Sequence, residues 1–459
     1  MKEGLAVQKT EIRDFTRGSI PKQLIVFATP LFLSSLLQVV YNMVDMIIVG
    51  NVLGQVGISA VAVGGDVSNF LTFVAMGFAN AGQVLIARFI GSRQTDRLGR
   101  FVGTMTGFLM LCSVVLSVLG LTFQDTFLQI MRTPPESYQG ATAYSRVCMM
   151  GMPFIYGYNI VSAIMRGMGD SKHPFVFISI AAVMNLILDI VFVIFLHMGP
   201  AGAALATVMS QAISFISCAV FLTRNRERFQ LQMNLSSFIR WDKDMLLSLV
   251  KLGLPMAIKS ASIQVSKLFV NSWINSYGVA VSAFAGIANK IGSISNLVSN
   301  AMNTSGSTMV GQNIAAGEFS RVNRILRTLA VITLTVASIF SAAFILFPDL
   351  IFSVFTTEAE VLAIVPGYIP IAVMLFFGSA ARAIMNALIN GSGNYKINFA
   401  TAILDGIVLR IGLAILFGLV FDMKHYGFWL GDALAGFTPF WIGVVFYCSG
   451  KWKHKVERA

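Results

Sequence analysis

GMGDSKHPF (167–175) and GSGNYKINF (391–399) carry two glycines, a lysine and a phenylalanine at one spacing, 224 residues apart (391 − 167 = 224). The same difference relates Gly54 to Gly278, Gly82 to Gly306, Arg97 to Arg321 and Arg100 to Arg324. Apolar identities are cheap in a chain this apolar, so the glycines and charges carry the argument. A single offset that persists along most of 459 residues means an internal duplication.

The chain is 56% hydrophobic and only 12% charged, against about 25% charged in soluble domains. Lipid is therefore the expected solvent. Apolar segments near 24–49, 58–90, 101–123, 141–165, 175–197 and 201–223 belong to the first copy, and those near 246–277, 281–313, 325–347, 361–389, 397–421 and 425–448 to the second. Most can cross a hydrocarbon core, which takes about 20 helical residues. Several run past about 25, which implies tilt or bending. The expected fold is an all-α membrane protein with twelve transmembrane helices in two pseudo-twofold-related six-helix bundles. An N-terminal lobe (1–223) would be joined to a C-terminal lobe (246–459) by a polar, basic cytoplasmic linker (224–245). Six spans per copy is an even number, so both copies share one orientation about an axis along the membrane normal. Such parallel repeats hold the transported ligand near the midplane and give access to each side in turn.

The formal net charge of +12 sits in alternate loops. Arg93, Arg97 and Arg100 follow the second segment, Lys172 the fourth, and Arg224, Arg226, Arg228, Arg240 and Lys243 the sixth. Arg321, Arg324 and Arg327 follow the eighth, Lys396 the tenth, and Lys451, Lys453, Lys455 and Arg458 the last. The intervening loops are poor in Lys and Arg, and one carries Asp349, Glu358 and Glu360. The positive-inside rule then puts both termini in the cytoplasm of a multi-pass inner-membrane protein, in agreement with an even number of spans. This distribution argues against a nucleic-acid face. The polar N-terminus leads into an apolar run without a cleavage site, so the first helix is expected to stay in the mature protein. Cys112, Cys148, Cys218 and Cys448 have neither paired nor metal-ligand spacing and read as packing residues. His173, His197, His425 and His454 are scattered, and no nucleophile or metal constellation points to an enzyme.

Ionisable groups are costly inside a bilayer and mark pathways. The first segment carries Gln38, Asn42 and Asp45 at helical spacing, and the fifth carries Asn185 and Asp189 four apart on one face. The sixth opens with GPAGAALAT, which brings in Thr207. Asp45, Asn185, Asp189 and Thr207 would offer hard oxygen ligands to sodium if segments one, five and six adjoin. The same carboxylates would serve a proton equally well, and the sequence does not separate the two ions. No further cofactor is expected.

In the second lobe, Lys259, Lys267, Lys290, Arg382 and Arg410 face what reads as a lone acid, Asp405. Lys259 and Lys267, eight apart, share one side of segment seven. With Gln264, Arg410, Gln38 and Asn42 they are the expected substrate-facing residues, in a cavity read as basic; snorkelling to an interface is the plainer alternative for the lysines. Asp66 and Lys290 also differ by 224 and carry opposite charge, which suggests a pair at the lobe interface. Pro30 and Pro255 are read as opening the first helix of each lobe, where a bend can be seeded. Thirty-seven Phe and 23 Met suit an adaptable pocket but more often merely fill membrane helices.

The motifs YNMVDMIIVGNVLG (41–54), MRGMGDSKHPF (165–175), NLILDIVFV (185–193), GPAGAALATVMSQ (199–211) and VGQNIAAGE (310–318) together resemble the multidrug and toxic compound extrusion family over nearly the whole chain. The resemblance implies a V-shaped pair of six-helix bundles that export organic compounds in exchange for protons or sodium. It also implies that the family's first-lobe cation site falls on Asp45, Asn185, Asp189 and Thr207. Asp66, Lys259 and Lys267 depart from the family pattern, where neutral side chains are expected, and point away from purely cationic drugs. The expected partners are a small-molecule substrate and the lipid bilayer, with the protein acting as a monomer. Two other transporter readings compete. TDRLGR (95–100) is similar to a major facilitator loop signature, but its repeat copy SRVNR (320–324) keeps only the arginines. The alternative within the same superfamily is a flippase or exporter of an anionic, zwitterionic or lipid-linked substrate.

Overall fold

The computed structural model describes residues 12–131, 133–231 and 235–453; His454, Lys455 and Arg458, with residues 1–11 of the N-terminus, lie outside them. The longest helical run, Ile20–Gly91, is broken at Gly54, whose φ of 64° suits glycine alone among common residues. It therefore supplies two spans, α1 (20–53) and α2 (55–91). The remaining spans are α3 (Thr95–Thr122), α4 (Pro135–Gly167), α5 (Lys172–Phe195), α6 (Gly199–Arg224), α7 (Lys243–Asn275), α8 (Val279–Ala316), α9 (Phe319–Leu346), α10 (Val365–Gly391), α11 (Tyr395–Val420) and α12 (Lys424–Cys448). Among the described residues ten helices, with the whole of Ile20–Gly91 taken as one, are apolar and long enough to cross a membrane. Dividing that run at Gly54 gives an eleventh span. The twelfth is α8, the repeat of α2, since 55 + 224 = 279.

The duplication is visible in helix bounds as well as in sequence. Adding 224 to Thr95–Thr122 gives Phe319–Leu346, the bounds of α9. GMGDSKHPF and GSGNYKINF explain themselves in the same way. Gly169 and Gly393 both adopt positive φ, 87° and 68°, and end α4 and α10. One residue later Asp170 Oδ1 accepts from the His173 amide at 3.2 Å, and Asn394 Oδ1 from the Ile397 amide at 3.2 Å, so each side chain caps the next helix. The Asp170 carboxylate also meets His173 Nδ1 at 2.6 Å, which holds the imidazole stacked on Phe221. Gly167 and Gly391 are fixed by close packing: a Cβ would stand 2.8 Å from the carbonyl of Gln83 in one copy and of Ser307 in the other.

Contacts divide the described chain into two units. One comprises the residues up to Asp14 and Leu33–Gly253, the other Phe15–Phe32 and Leu254 onward. In the first, α4 packs against α3 and α6 and is largely buried. Residues of the expected linker belong here too: the Asp242 amide donates to Thr104 Oγ1 at 3.2 Å, and Trp241 packs edge-on to Phe108. In the second, α10 takes the central place against α8 and α9. The start of α1 joins this second unit, contrary to a division at the linker. Phe15, Leu24 and Phe27 are buried in a core with Met309, Ile314 and Leu329. Arg321 donates to the Phe15 and Arg17 carbonyls at 2.9 Å each and to Gln23 Oε1 at 3.0 Å. Pro30 and Pro255 do not open their helices. Both lie inside them, and the boundaries between the units, at Phe32/Leu33 and Gly253/Leu254, fall beside the two prolines. Each proline removes one backbone hydrogen bond at that point.

Candidate functional site

The first unit gathers polar groups against one apolar layer. Val49 of α1, Val193 of α5 and Ala203 of α6 are buried in a single cluster with Val61, Tyr144, Cys148 and Ala204. Asp45 lies one turn before Val49, Asp189 one turn before Val193, and Thr207 one turn after Ala203. Successive spans alternate in direction, so α1 and α5 run one way and α6 the other. All three polar side chains therefore stand on the same side of the layer. Asn185, one turn before Asp189, is buried on the same face.

The carboxylates are close enough for Asp45 to act on Asp189 through space, and both act on Tyr144. Asp189 is fully buried, and neither of its oxygens has a hydrogen-bond partner among the described residues. The same holds for Asp45 Oδ1 and Asn185 Nδ2. A terminal amide can rotate to offer either its oxygen or its nitrogen, so Asn185 serves a cation as readily as an acceptor. A bare carboxylate in a low-dielectric interior costs several kcal/mol unless a proton or cation neutralises it. No three His, Cys, Asp or Glu side chains among the described residues converge as a metal site. The side chains gathered on this side of the layer that carry an oxygen are the two carboxylates, Asn185 and Thr207. Gln38 is partly buried and Asn42 exposed on the same helix.

Several members of this constellation escape a reading by polarity alone. Tyr144 and Cys148, both on α4, lie inside the apolar cluster, with Ser68 within hydrogen-bond reach of the thiol. Gln211 and Ser214 extend the Thr207 face of α6, and Gln211 Oε1 and Ser214 Oγ are buried without partners among the described residues. The spacing 207, 211, 214 is the signal that would have found them. The helix after Asp189 also widens to π geometry over Ile190–Phe195, a distortion that often accompanies functional sites and that no residue type announces.

The second unit corrects the reading of Asp405 as a lone acid. Asp432 of α12 is a second one. Arg410 Nη2 donates to Asp405 Oδ1 at 3.0 Å, and its Nη1 bonds Asp432 Oδ1. Arg382 Nη2 reaches the same Asp405 oxygen at 3.8 Å. Asp405 sits in a π-helical turn, Leu404–Val408, which sets it on the buried side of α11. Gly431, beside Asp432, lets α12 approach so closely that a Cβ would stand 2.5 Å from the Ala414 amide nitrogen. Arg410, 1% exposed, is a paired structural charge rather than a free cavity cation. Lys259 is partly buried and donates to Asn386 Oδ1 at 2.7 Å. Lys267 is exposed and lies in the field of Asp432 and Arg410; Gln264 is partly buried. Asp66 and Lys290 are both exposed, each on its own unit.

The two units carry their ionisable groups at non-equivalent positions. Asp45 and Asp189 map to Phe269 and Leu413, and Lys259 and Arg410 map back to Ser35 and Leu186. The helices were duplicated and the chemistry diverged.

The MatE family profile matches residues 30–191 and 255–416, one stretch in each copy. A probable multidrug resistance protein of Bacillus subtilis, YoeA, is 28% identical over 446 residues, covering 96% of each chain. Multidrug and toxin extrusion protein 1 of the mouse is 22% identical, over 95% of this chain and 76% of its own. Among solved structures, one described as MATE in complex with MaD3S superposes with a TM-score of 0.87 at 21% identity, over 96% of this chain and 99% of its own. A transporter from Pyrococcus furiosus, described as having a binding pocket of reverse polarity, also gives 0.87 at 21% identity, over 96% and 98%. With two six-helix copies, polar groups buried in both and the family profile matched twice, the chain belongs to the MatE family of multidrug and toxin extrusion transporters and is not an enzyme.

Proposed function

We propose that this protein exports organic compounds from the cytoplasm by alternating access, in exchange for protons or sodium ions bound in the first unit at Asp45, Asn185, Asp189 and Thr207. The observation that carries the proposal is Asp189: a fully buried carboxylate, unpartnered at both oxygens among the described residues, with a second carboxylate acting on it. Two such groups repel each other until a cation enters, and entry of a drug or loss of the cation changes that balance. This is the linkage an antiporter needs. The arrangement suits one ion neutralising the pair, with Asn185 and Thr207 completing its shell if the ion is sodium.

The test is transport by purified protein in liposomes, with proton and sodium gradients imposed separately and ethidium as cargo. Accumulation driven by one gradient and not the other identifies the ion; accumulation driven by neither removes the antiport reading. A second reading, export or flipping of an anionic, zwitterionic or lipid-linked compound, is supported by the surplus of cations in the second unit.

A further inference from the structure

The second unit holds four cationic side chains, Lys259, Lys267, Arg382 and Arg410, each in electrostatic reach of one or both of two acids, Asp405 and Asp432, with Arg382 in reach of the other three cations. The formal balance is 4 − 2 = +2. Arg410 consumes most of the negative charge, since it bonds both carboxylates. Arg382 is left with Asp405 Oδ1 at 3.8 Å, an oxygen already engaged by Arg410, and its buried Nε has no partner among the described residues. Asp405 Oδ2 also lacks a partner among the described residues, so one carboxylate serves two guanidinium groups through a single oxygen.

Lys259 is in a similar position. Its ammonium has three donors, and its one hydrogen bond among the described residues, at 2.7 Å, goes to a neutral amide, Asn386 Oδ1. No carboxylate lies within 4.0 Å of it among the described residues. Asn386 is one turn from Arg382 on α10, and the same face continues to Ser379 and Asn390, all four at helical spacing. Ser379 donates to Asn296 Oδ1 at 2.9 Å, so this polar stripe is anchored at its far end while its middle keeps unused donors. Unused N–H donors and uncompensated positive charge in one shielded place fit an incoming group with negative charge and acceptor oxygens.

We propose that Lys259 and Arg382 form an oxyanion-binding subsite, so that the ligand of the second unit carries a carboxylate or phosphate group. Lys259 and Arg382 hold the oxyanion, Asn386 positions the ammonium, and Arg410 is spent on Asp405 and Asp432. Lys267, exposed and two turns from Lys259, draws the anion in through water. The subsite rests on the reading of the protein as an exporter of organic compounds. It does not depend on which ion drives export.

The test is equilibrium binding without any gradient, with the protein in nanodiscs of zwitterionic lipid, fluorescein as the anionic probe and ethidium as the cationic one, both read by polarisation. Wild-type protein should bind fluorescein. Lys259→Gln should weaken that binding at least tenfold, about 1.4 kcal/mol, while Lys259→Arg retains it and ethidium binding is unchanged in both. Lys267→Gln should mainly flatten its salt dependence. Nanodiscs containing phosphatidylglycerol separate the sources of the oxyanion: competition by the lipid assigns the subsite to a headgroup, and its absence to a soluble anion. Failure of wild-type protein to bind fluorescein in zwitterionic nanodiscs overturns the proposal. So does fluorescein binding that survives in a Lys259→Gln protein whose ethidium binding is intact. Asp189→Asn should leave fluorescein binding untouched, so failure of this subsite and failure of the coupling site are read apart.

Discussion

Replacing Arg410 with Gln tests the second unit's ionic network most severely. In the native chain its guanidinium bonds Asp405, which is fully buried, and Asp432. Without it, among the described residues the only cation in contact with Asp405 is Arg382 at 3.8 Å, and Asp432 has no ion pair. Breaking a buried pair by removing one partner costs about 3–5 kcal/mol, because a charge is left uncompensated. At about 1.4 kcal/mol per factor of ten, that raises the unfolded fraction by roughly a hundredfold to a few thousandfold. Asp432→Asn should be milder, about 1–3 kcal/mol, because Arg410 keeps Asp405 and the amide oxygen can still accept. Cys148 and Cys218 are buried free thiols and provide the assay: maleimide labelling in detergent against temperature or denaturant reports their exposure. Combining Arg410→Met with Asp405→Asn and Asp432→Asn removes all three charges and should recover most of the loss. An Arg410→Gln protein that unfolds with the wild type would refute the reasoning, and the network would then be solvated in place.

The repeated close approaches make a paired prediction. Gly167→Ala and Gly391→Ala each set a Cβ against a carbonyl 2.8 Å away and should cost about 1–3 kcal/mol, to a similar extent in the two copies, by the same thiol assay. Arg321→Ala removes three hydrogen bonds to Phe15, Arg17 and Gln23. It should destabilise the second unit by about 2–3 kcal/mol and speed tryptic cleavage after Arg17, read by mass spectrometry.

Much of this fold was legible because duplication writes the same constraint twice. A glycine in one loop proves little; Gly169 and Gly393, each with positive φ and each followed by a capping Asp or Asn, report a helix end at the same place in both copies. The Asn185–Asp189 face was legible because a carboxylate among leucines and isoleucines is conspicuous. Asp432 was not, because its partner Arg410 is 22 positions away on another helix and only the packing at Gly431 brings the two together. Tyr144 was hidden by its type: a tyrosine in a membrane helix reads as a filler until its neighbours are Asp45 and Asp189. The transfer of Phe15–Phe32 to the second unit was illegible for another reason. It depends on Arg321, a residue read as a loop charge, turning inward to hold backbone carbonyls.

The claim on which the account turns is that Asp189, with Asp45, binds the ion that drives export. Its most direct test compares wild type with Asp189→Asn in the same proteoliposomes, measuring ethidium accumulation under the driving gradient and ethidium exchange with no gradient. Asn nearly matches the shape of Asp but carries no charge to neutralise, so the account predicts that exchange persists while accumulation against a concentration difference is lost. Asp189→Asn protein that accumulates ethidium at the wild-type rate and to the wild-type level would contradict it.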